Sequence, residues 1–209
     1  MSNYLLGFIG GRGSGKSSAV RFAADILEAN GCATNVVRPS RLLEDTLDIW
    51  HLDRTTSNLQ KLSRLLREEF GKNTIPNAIS RILIEREPCV TLWDGIRWYE
   101  DEQYVRSMKP SALIYLKTDK RLRFQRISAR FEKFEEINSK ITLDKFELSE
   151  LEENEAYIAD IGTRADYTID NSKSIIDLIL AHFQIMRSIK ITAYLALILW
   201  RGLDISHYS

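Results

Sequence analysis

Gly10-Gly11-Arg12-Gly13-Ser14-Gly15-Lys16-Ser17 fits the pattern G-x-x-x-x-G-K-[ST] and stands directly after the apolar run Tyr4 to Ile9. A loop of this composition turns its backbone N–H groups inward around phosphate oxygens, which demands positive φ angles and space where a Cβ would stand. Lys16 then reaches the β- and γ-phosphates and Ser17 ligates Mg²⁺, with Gly10 to Gly15 and the adjoining Ser18 forming the cradle. With glycine near 7% of residues, chance produces the motif in roughly one chain in a hundred of this length. Beyond it, Val20, Ala23, Ala24 and Leu27 repeat at i, i+3, i+4, i+7, the buried stripe of a helix whose N-terminus faces the phosphates. Asn30-Gly31 should close that helix.

The 209 residues suit one domain with a substantial core. Lys plus Arg balance Asp plus Glu at 29 each, so no global field recruits nucleic acid or an anionic membrane, and any anion site must be local. Cys32 and Cys89 are too few and too far apart for a disulfide framework, and they read as reduced thiols. His51, His182 and His207 are scattered without ligand spacing, which argues against a histidine-zinc site. Arg12 and the glycines interrupt the first apolar run before it could serve as a signal peptide, so a cytoplasmic location is expected. Ile191 to Trp200 is the longest apolar stretch, about half of what a membrane span requires. It suits a buried or interface helix, through which a second copy or another partner protein could dock.

Short β-branched or aromatic runs at Leu5 to Ile9, Thr34 to Arg38, Cys89 to Trp93, Ala112 to Leu116 and Tyr167 to Ile169 alternate with helical patterns. The helices are expected at about 17–30, 40–50, 57–71, 75–87, 99–108, 119–131, 147–162 and 173–200. Such alternation predicts an α/β fold, a doubly wound five-stranded parallel sheet with helices on both faces and the site beyond the strand C-terminal ends. The domain should cover 1–182, with a helical insertion over about 40–87 that builds a binding wall. A charged segment over about 131–155 reads either as a solvated helix pair or as a lid closing over phosphates. Residues 183–209 form a helical extension.

Asp94 ends an apolar run and should emerge beside the phosphate loop, where a carboxylate can hold Mg²⁺ or accept a proton. Arg97 follows closely enough to grip a second phosphate with its planar fork. Arg123, Arg126 and Arg130 are spaced to share one helix face, which is unfavourable unless something anionic meets them, either ATP phosphates or the neighbouring acidic segment. Asn171 and Lys173 follow the last strand and suit contacts to a nucleobase or a plain helix cap. Arg38, Arg54, Arg64 and Arg67 bring positive charge to the insertion and could face an acceptor phosphate.

Four blocks carry a family resemblance: Gly10 to Ser17; Arg54 to Lys61 continuing to Leu66-Arg67-Glu68-Glu69-Phe70-Gly71; Asp94-Gly95-Ile96-Arg97; and Ala165 to Asn171. Over about Tyr4 to Leu180 the chain resembles the P-loop kinases of the nucleoside monophosphate kinase and dephospho-CoA kinase superfamily. The resemblance implies ATP and Mg²⁺, with Lys16 and Ser17 on the donor phosphates and metal. It places Asp94 and Arg97 on the acceptor side, and Arg126 and Arg130 at the lid. The acceptor it implies is a (deoxy)nucleoside monophosphate; dephospho-CoA is the alternative acceptor. An NTP-binding regulatory module, for instance in phage defence, is the alternative of another class. The lid lacks the glycine-rich arginine pairs usual in that superfamily, and 183–209 lies outside the resemblance.

Overall fold

The computed structural model of the chain describes residues 4–84, 90–133, 142–151, 153–173 and, beyond these, 181, 184 and 185. Strands β1 (Tyr4–Ile9), β2 (Thr34–Val37), β3 (Val90–Ile96), β4 (Ser111–Lys117) and β5 (Tyr167–Asp170) form one sheet in the order β2-β3-β1-β4-β5. Every pairing is parallel. All six residues of β1 are buried, as expected of a central strand covered on both faces. The sheet grows to one side of β1 through β3 and to the other through β4, so the crevice at the end of β1 is a topological switch point.

Side chains of β1 alternate between two cores. Tyr4, Leu6 and Phe8 pack with Ala19, Val20, Ala23, Ala24 and Leu27 of α1 (Lys16–Ala29), where small alanines let the helix lie close to the sheet. Leu5 and Ile9 face Ile75, Ile79, Val105, Ile158 and Ile161 on the other side. Truncating a side chain such as Ile79, with no exposed surface, to alanine would cost about 2–5 kcal/mol. Helix α1 ends as expected, with Gly31 N–H donating to Glu28 O at 2.9 Å and Cys32 N–H to Leu27 O at 3.0 Å.

Three helices fill the connection from β2 to β3: α2 (Pro39–Ile49), α3 (Thr56–Phe70) and α4 (Thr74–Ile84). Proline opens α2, where its missing N–H costs nothing, and Thr55 Oγ1 caps α3 by accepting from Asn58 N at 3.1 Å. The most buried residues of α3 are Ser63 and Arg67, while Leu59, Leu62 and Leu66 are half-buried, so its inner face is mixed rather than purely apolar. Then follow α5 (Tyr99–Ser107) between β3 and β4, and α6 (Lys120–Lys133) after β4.

Two expectations are corrected. A single helix over 147–162 is replaced by α7 (Leu143–Glu150) and α8 (Glu153–Thr163). Thr142 starts α7 earlier by accepting from Lys145 N at 3.3 Å, and Phe146 buries against Phe124 while Ile158 and Ile161 enter the sheet core, so the two helices serve different surfaces. Strand β3 also continues past Trp93 to Ile96. Phe8 pairs with Asp94 but Ile9 pairs with Ile96, which leaves Gly95, at φ +107°, as the extra residue of a bulge. Among the other expectations, the helix over 173–200 and the 183–209 extension lie almost wholly outside the described residues, as do 134–141 and 152 of the lid segment. Ala181 and Ile185 pack partly buried on the α1 side of the core.

Candidate active site

The loop between β1 and α1 is held in its cradle shape by glycine conformations and by tethers from later strands. Gly13 and Gly15 are left-handed, at φ +78° and +87°. A Cβ on Gly13 would fall 2.6 Å from the Arg123 carbonyl oxygen, and one on Gly15 would collide with Asn171 Nδ2. Ser14 O accepts from Asn171 Nδ2 at 2.7 Å and from Thr118 Oγ1 at 3.2 Å, linking the loop to the ends of β4 and β5. Asn171 N–H in turn donates to Lys117 O at 2.8 Å.

Positive charge is concentrated here against its own desolvation. Lys16 Nζ folds over the loop, donating to Gly10 O and to Gly11 O, the latter at 3.1 Å. Burial pushes the Lys16 ammonium down to about 7; the Arg97 guanidinium adds to the shift and Asp94 opposes it. Burial also pulls Arg97 below the ordinary arginine value, against Asp94 and Asp101. Cations held at such a cost are relieved by an anion that comes against them.

Asp94 is buried near the C-terminal end of β3, just before the bulge, where its Oδ2 accepts from Ser17 Oγ at 2.9 Å and from Arg38 Nε at 3.0 Å. A hydroxyl and a carboxylate converging beside a phosphate cradle fit Mg²⁺, which takes oxygen ligands and retains waters. Ser17 and Asp94 are the residues that would hold it.

A cavity of about 410 Å³ opens from this point between the loop and the insertion. Its lining includes Arg12, Gly13, Ser14, Gly15, Lys16, Ser17, Ser18, Asp94, Arg38 and Arg97, together with Pro39, Ser40, Leu43, Glu44, Thr56, Leu59, Gln60, Ser63, Ile75, Gly95, Trp98 and Asp101. Arg38 and Arg97 both line the cavity, Arg38 while paired with Asp94. Two other expected acceptor arginines are not in the lining. Arg54 is exposed and pairs with Asp48, its Nε donating at 2.7 Å. Arg67 is buried and engages Glu100 at 2.7 Å. In both cases the guanidinium finds a nearby carboxylate, which a sequence pattern of arginines does not reveal.

On the other side of the loop, Arg126 Nη2 donates to Asn171 O at 2.9 Å, while Nη1 is buried with no partner among the described residues. Arg123 is met by the acidic segment rather than left for phosphates: it pairs with Glu150 at 2.5 Å and donates to Arg12 O at 3.3 Å. The Arg130 side chain lies outside the described residues. Lys173 is exposed, and Asn171 is committed to the loop tether. Gln60, Ser63 and Asp101 escaped the sequence reading. Thr56, Gln60, Ser63 and Arg67 stand a turn apart on α3, a polar face legible once that helix is known to line a cavity. Asp101 caps α5, its Oδ2 accepting from Arg97 N at 3.0 Å and Trp98 N at 3.1 Å, and burial pushes its carboxyl up to about 6.

Sheet order, loop and insertion together define a P-loop kinase fold. No family model matches the chain. Shikimate kinase from Bacteroides thetaiotaomicron superposes with a TM-score of 0.58 at 13% identity, covering 90% of this chain and 98% of that one. A gluconokinase from Sinorhizobium meliloti gives 0.54 at 14% identity, covering 93% and 97%. In sequence, the chain is 27% identical over 175 residues to UPF0200 protein MJ1399 of Methanocaldococcus jannaschii, covering 83% of this chain and 84% of that protein. A shorter match, 34% identical over 85 residues, is to a UPF0200 protein of Thermococcus gammatolerans, covering 38% of this chain and 44% of its length.

Proposed function

We propose that the protein transfers the terminal phosphoryl group of ATP to a small phosphorylated acceptor, a (deoxy)nucleoside monophosphate. The observation that carries this reading is the mixed lining of the cavity beside the phosphate loop: cationic Lys16, Arg38 and Arg97, apolar Leu43, Leu59, Ile75 and Trp98, and polar Glu44, Gln60, Ser63 and Asp101. That combination suits a molecule that carries a phosphate and a flat ring with apolar faces and hydrogen-bonding edges.

In this reading the loop N–H groups and Lys16 bind the donor phosphates, displacing the ammonium from the loop carbonyls it now contacts. Mg²⁺, held by Ser17 and Asp94, would neutralise charge on the donor phosphates. Arg97 and Arg38 orient the acceptor phosphate toward the donor. A phosphate oxygen is already deprotonated near neutral pH, so no general base is required, and the protein's contribution is positioning and charge stabilisation. A hydroxyl acceptor would instead need a carboxylate to take its proton. Arg126 stands where it can add positive charge to the transferring group.

The test is ADP release from ATP and Mg²⁺ in the presence of ribo- and deoxynucleoside monophosphates, dephospho-CoA, shikimate and gluconate, with the phosphorylated product identified by mass. A monophosphate-dependent rate supports the reading. Turnover only with dephospho-CoA or a hydroxyl acceptor replaces the acceptor, and ATP binding without stimulation by any of them overturns the kinase.

A further inference from the structure

The inner face of α3 is fastened by more than apolar packing: Leu59, Leu62 and Leu66 are only half-buried, and the most buried side chains are Ser63 and Arg67. Thr56, Leu59, Gln60 and Ser63 line the cavity, and Arg67 stands one turn on. Arg67 is 8% exposed and makes three contacts in two other parts of the fold, the start of α5 and the turn between α3 and α4. Its guanidinium carbon lies 3.9 Å from the centroid of the Trp98 ring. Nη2 donates to Glu100 Oε2 at 2.7 Å, and Nη1 donates to Lys72 O at 2.8 Å in the turn between α3 and α4. Glu100 responds accordingly: burial, the largest single effect, raises its carboxyl, but the Arg67 hydrogen bond, a backbone hydrogen bond and the Arg67 and Lys72 charges together hold it below the ordinary glutamate value.

Trp98 is the hinge of this arrangement. It is buried in the cavity wall, immediately follows Arg97, and has its backbone N–H fixed by Asp101. Tyr157 contacts it as well, with ring centroids 5.8 Å apart. One planar fork therefore spans the gap between the insertion helix and the segment that carries Arg97.

We propose that Arg67 is a positioning residue for the acceptor. By clamping Trp98 and Glu100 to α3, it sets the width of the acceptor cavity and the aim of Arg97, and it acts on acceptor affinity without touching the acceptor. The inference rests on the kinase reading. It also separates Arg67 from Arg97, which acts by direct contact. Lysine cannot reproduce the clamp, because an ammonium carries the charge but neither the flat face that stacks on indole nor the fixed fork that serves two acceptors at once.

The decisive experiment screens ribo- and deoxynucleoside monophosphates with ATP and Mg²⁺ and compares wild type, Arg67→Lys and Glu100→Gln in steady-state phosphorylation of the one that turns over fastest with wild type, with ATP affinity measured by calorimetry and folding by thermal melt. Arg67→Lys should raise the acceptor KM at least about tenfold, the scale of one lost charge-assisted contact, with kcat at saturating acceptor and ATP Kd within about threefold of wild type. Glu100→Gln keeps an oxygen for the fork and should raise KM by only about threefold. An unchanged acceptor KM in folded Arg67→Lys overturns the proposal. So does a matching loss of ATP affinity, since that is general loosening. If Arg67→Lys does not fold, Glu100→Gln decides: a selective KM rise supports the clamp and an unchanged KM removes it. Failure of wild type to phosphorylate any monophosphate removes the kinase reading and this inference together, an outcome distinct from wild-type turnover with indifferent variants.

Discussion

The Ser17 hydroxyl donates to Asp94 Oδ2 at 2.9 Å across 77 positions of sequence. Adjacent parallel strands make this possible: β1 delivers the loop, β3 delivers the carboxylate, and Phe8 pairs with Asp94. Together they form an oxygen pair suited to Mg²⁺, so Asp94→Asn should lower kcat by about a hundredfold, roughly 2.7 kcal/mol of barrier. The Mg²⁺ concentration needed for half-maximal rate should rise as well. Chelating Mg²⁺ should make the ATP affinities of wild type and variant converge. An unaltered Mg²⁺ requirement would remove Asp94 from the metal site.

Lys16 offers a second test, with a pH sign. Burial first, then Arg97, bring its ammonium down to about 7, so near pH 8 much of it is neutral before nucleotide binds. Donor phosphates favour the charged form, so ATP binding at that pH should take up protons. Calorimetry in buffers of different ionisation enthalpy measures the uptake directly. It should fade as the pH drops below about 6, where Lys16 is already protonated, and vanish in Lys16→Ala together with most of the ATP affinity. Undiminished affinity in that variant would refute the loop's role.

The Arg97 and Arg54 positions allow a paired comparison. Arg97 lines the cavity beside the loop, whereas Arg54 is exposed and bound to Asp48. Arg97→Ala should raise the acceptor KM by the equivalent of about 1.5–3 kcal/mol, with a smaller effect on ATP. Arg54→Ala should leave both constants unchanged, since an exposed ion pair contributes little. Steady-state kinetics on the two variants distinguishes a gripping arginine from a solvated one.

Much of this architecture was legible because it follows from local chemistry. The loop declares itself through glycines that must be left-handed, and β1 through an unbroken apolar run. The α1 helix shows its 3.6-residue stripe and its Asn30-Gly31 stop. Asp94 could be placed because a carboxylate at the end of a buried strand has few places to go. The arginines were harder to assign, since a guanidinium's role depends on which carboxylate or ring it meets in space. Arg67 looked like an acceptor ligand until Trp98 and Glu100 came against it, 31 and 33 positions away. Gln60 and Asp101 were missed for the same reason: a lone amide or carboxylate on a helix carries no local sign that a cavity lies beside it.

Asp101 supplies a stability prediction. Its carboxyl, at about 6 against an ordinary 3.8, binds its proton more tightly in the folded state than in the unfolded one. The group's contribution is therefore fully present below about pH 3.8 and is lost as pH rises through about 6. Asp101→Asn has no such titration. Between about pH 4 and pH 7, wild type should lose about 2–3 kcal/mol relative to the variant, as read by urea unfolding at the two pH values. A constant difference would show that the carboxyl is not held in a desolvating site.

The last prediction concerns Arg126, whose two nitrogens are treated unequally. Nη2 is anchored on Asn171 O at 2.9 Å, while Nη1 is buried with no partner among the described residues, 3.9 Å from where a Cβ on Gly15 would stand. Burial accordingly pulls the guanidinium below its ordinary value. An unmatched charge beside a phosphate loop is best matched when negative charge develops on the transferring group, which stabilises the transition state more than bound ATP. Arg126→Ala should then lower kcat at least about tenfold, roughly 1.4 kcal/mol, with ATP Kd little changed. If Arg126 serves only to hold Asn171 against Ser14, removing it should instead loosen the loop, weakening ATP binding and lowering the melting temperature while kcat at saturation persists. Steady-state kinetics, calorimetry and a thermal melt on this one variant separate the two outcomes, and a folded enzyme with wild-type kcat would end the transition-state role.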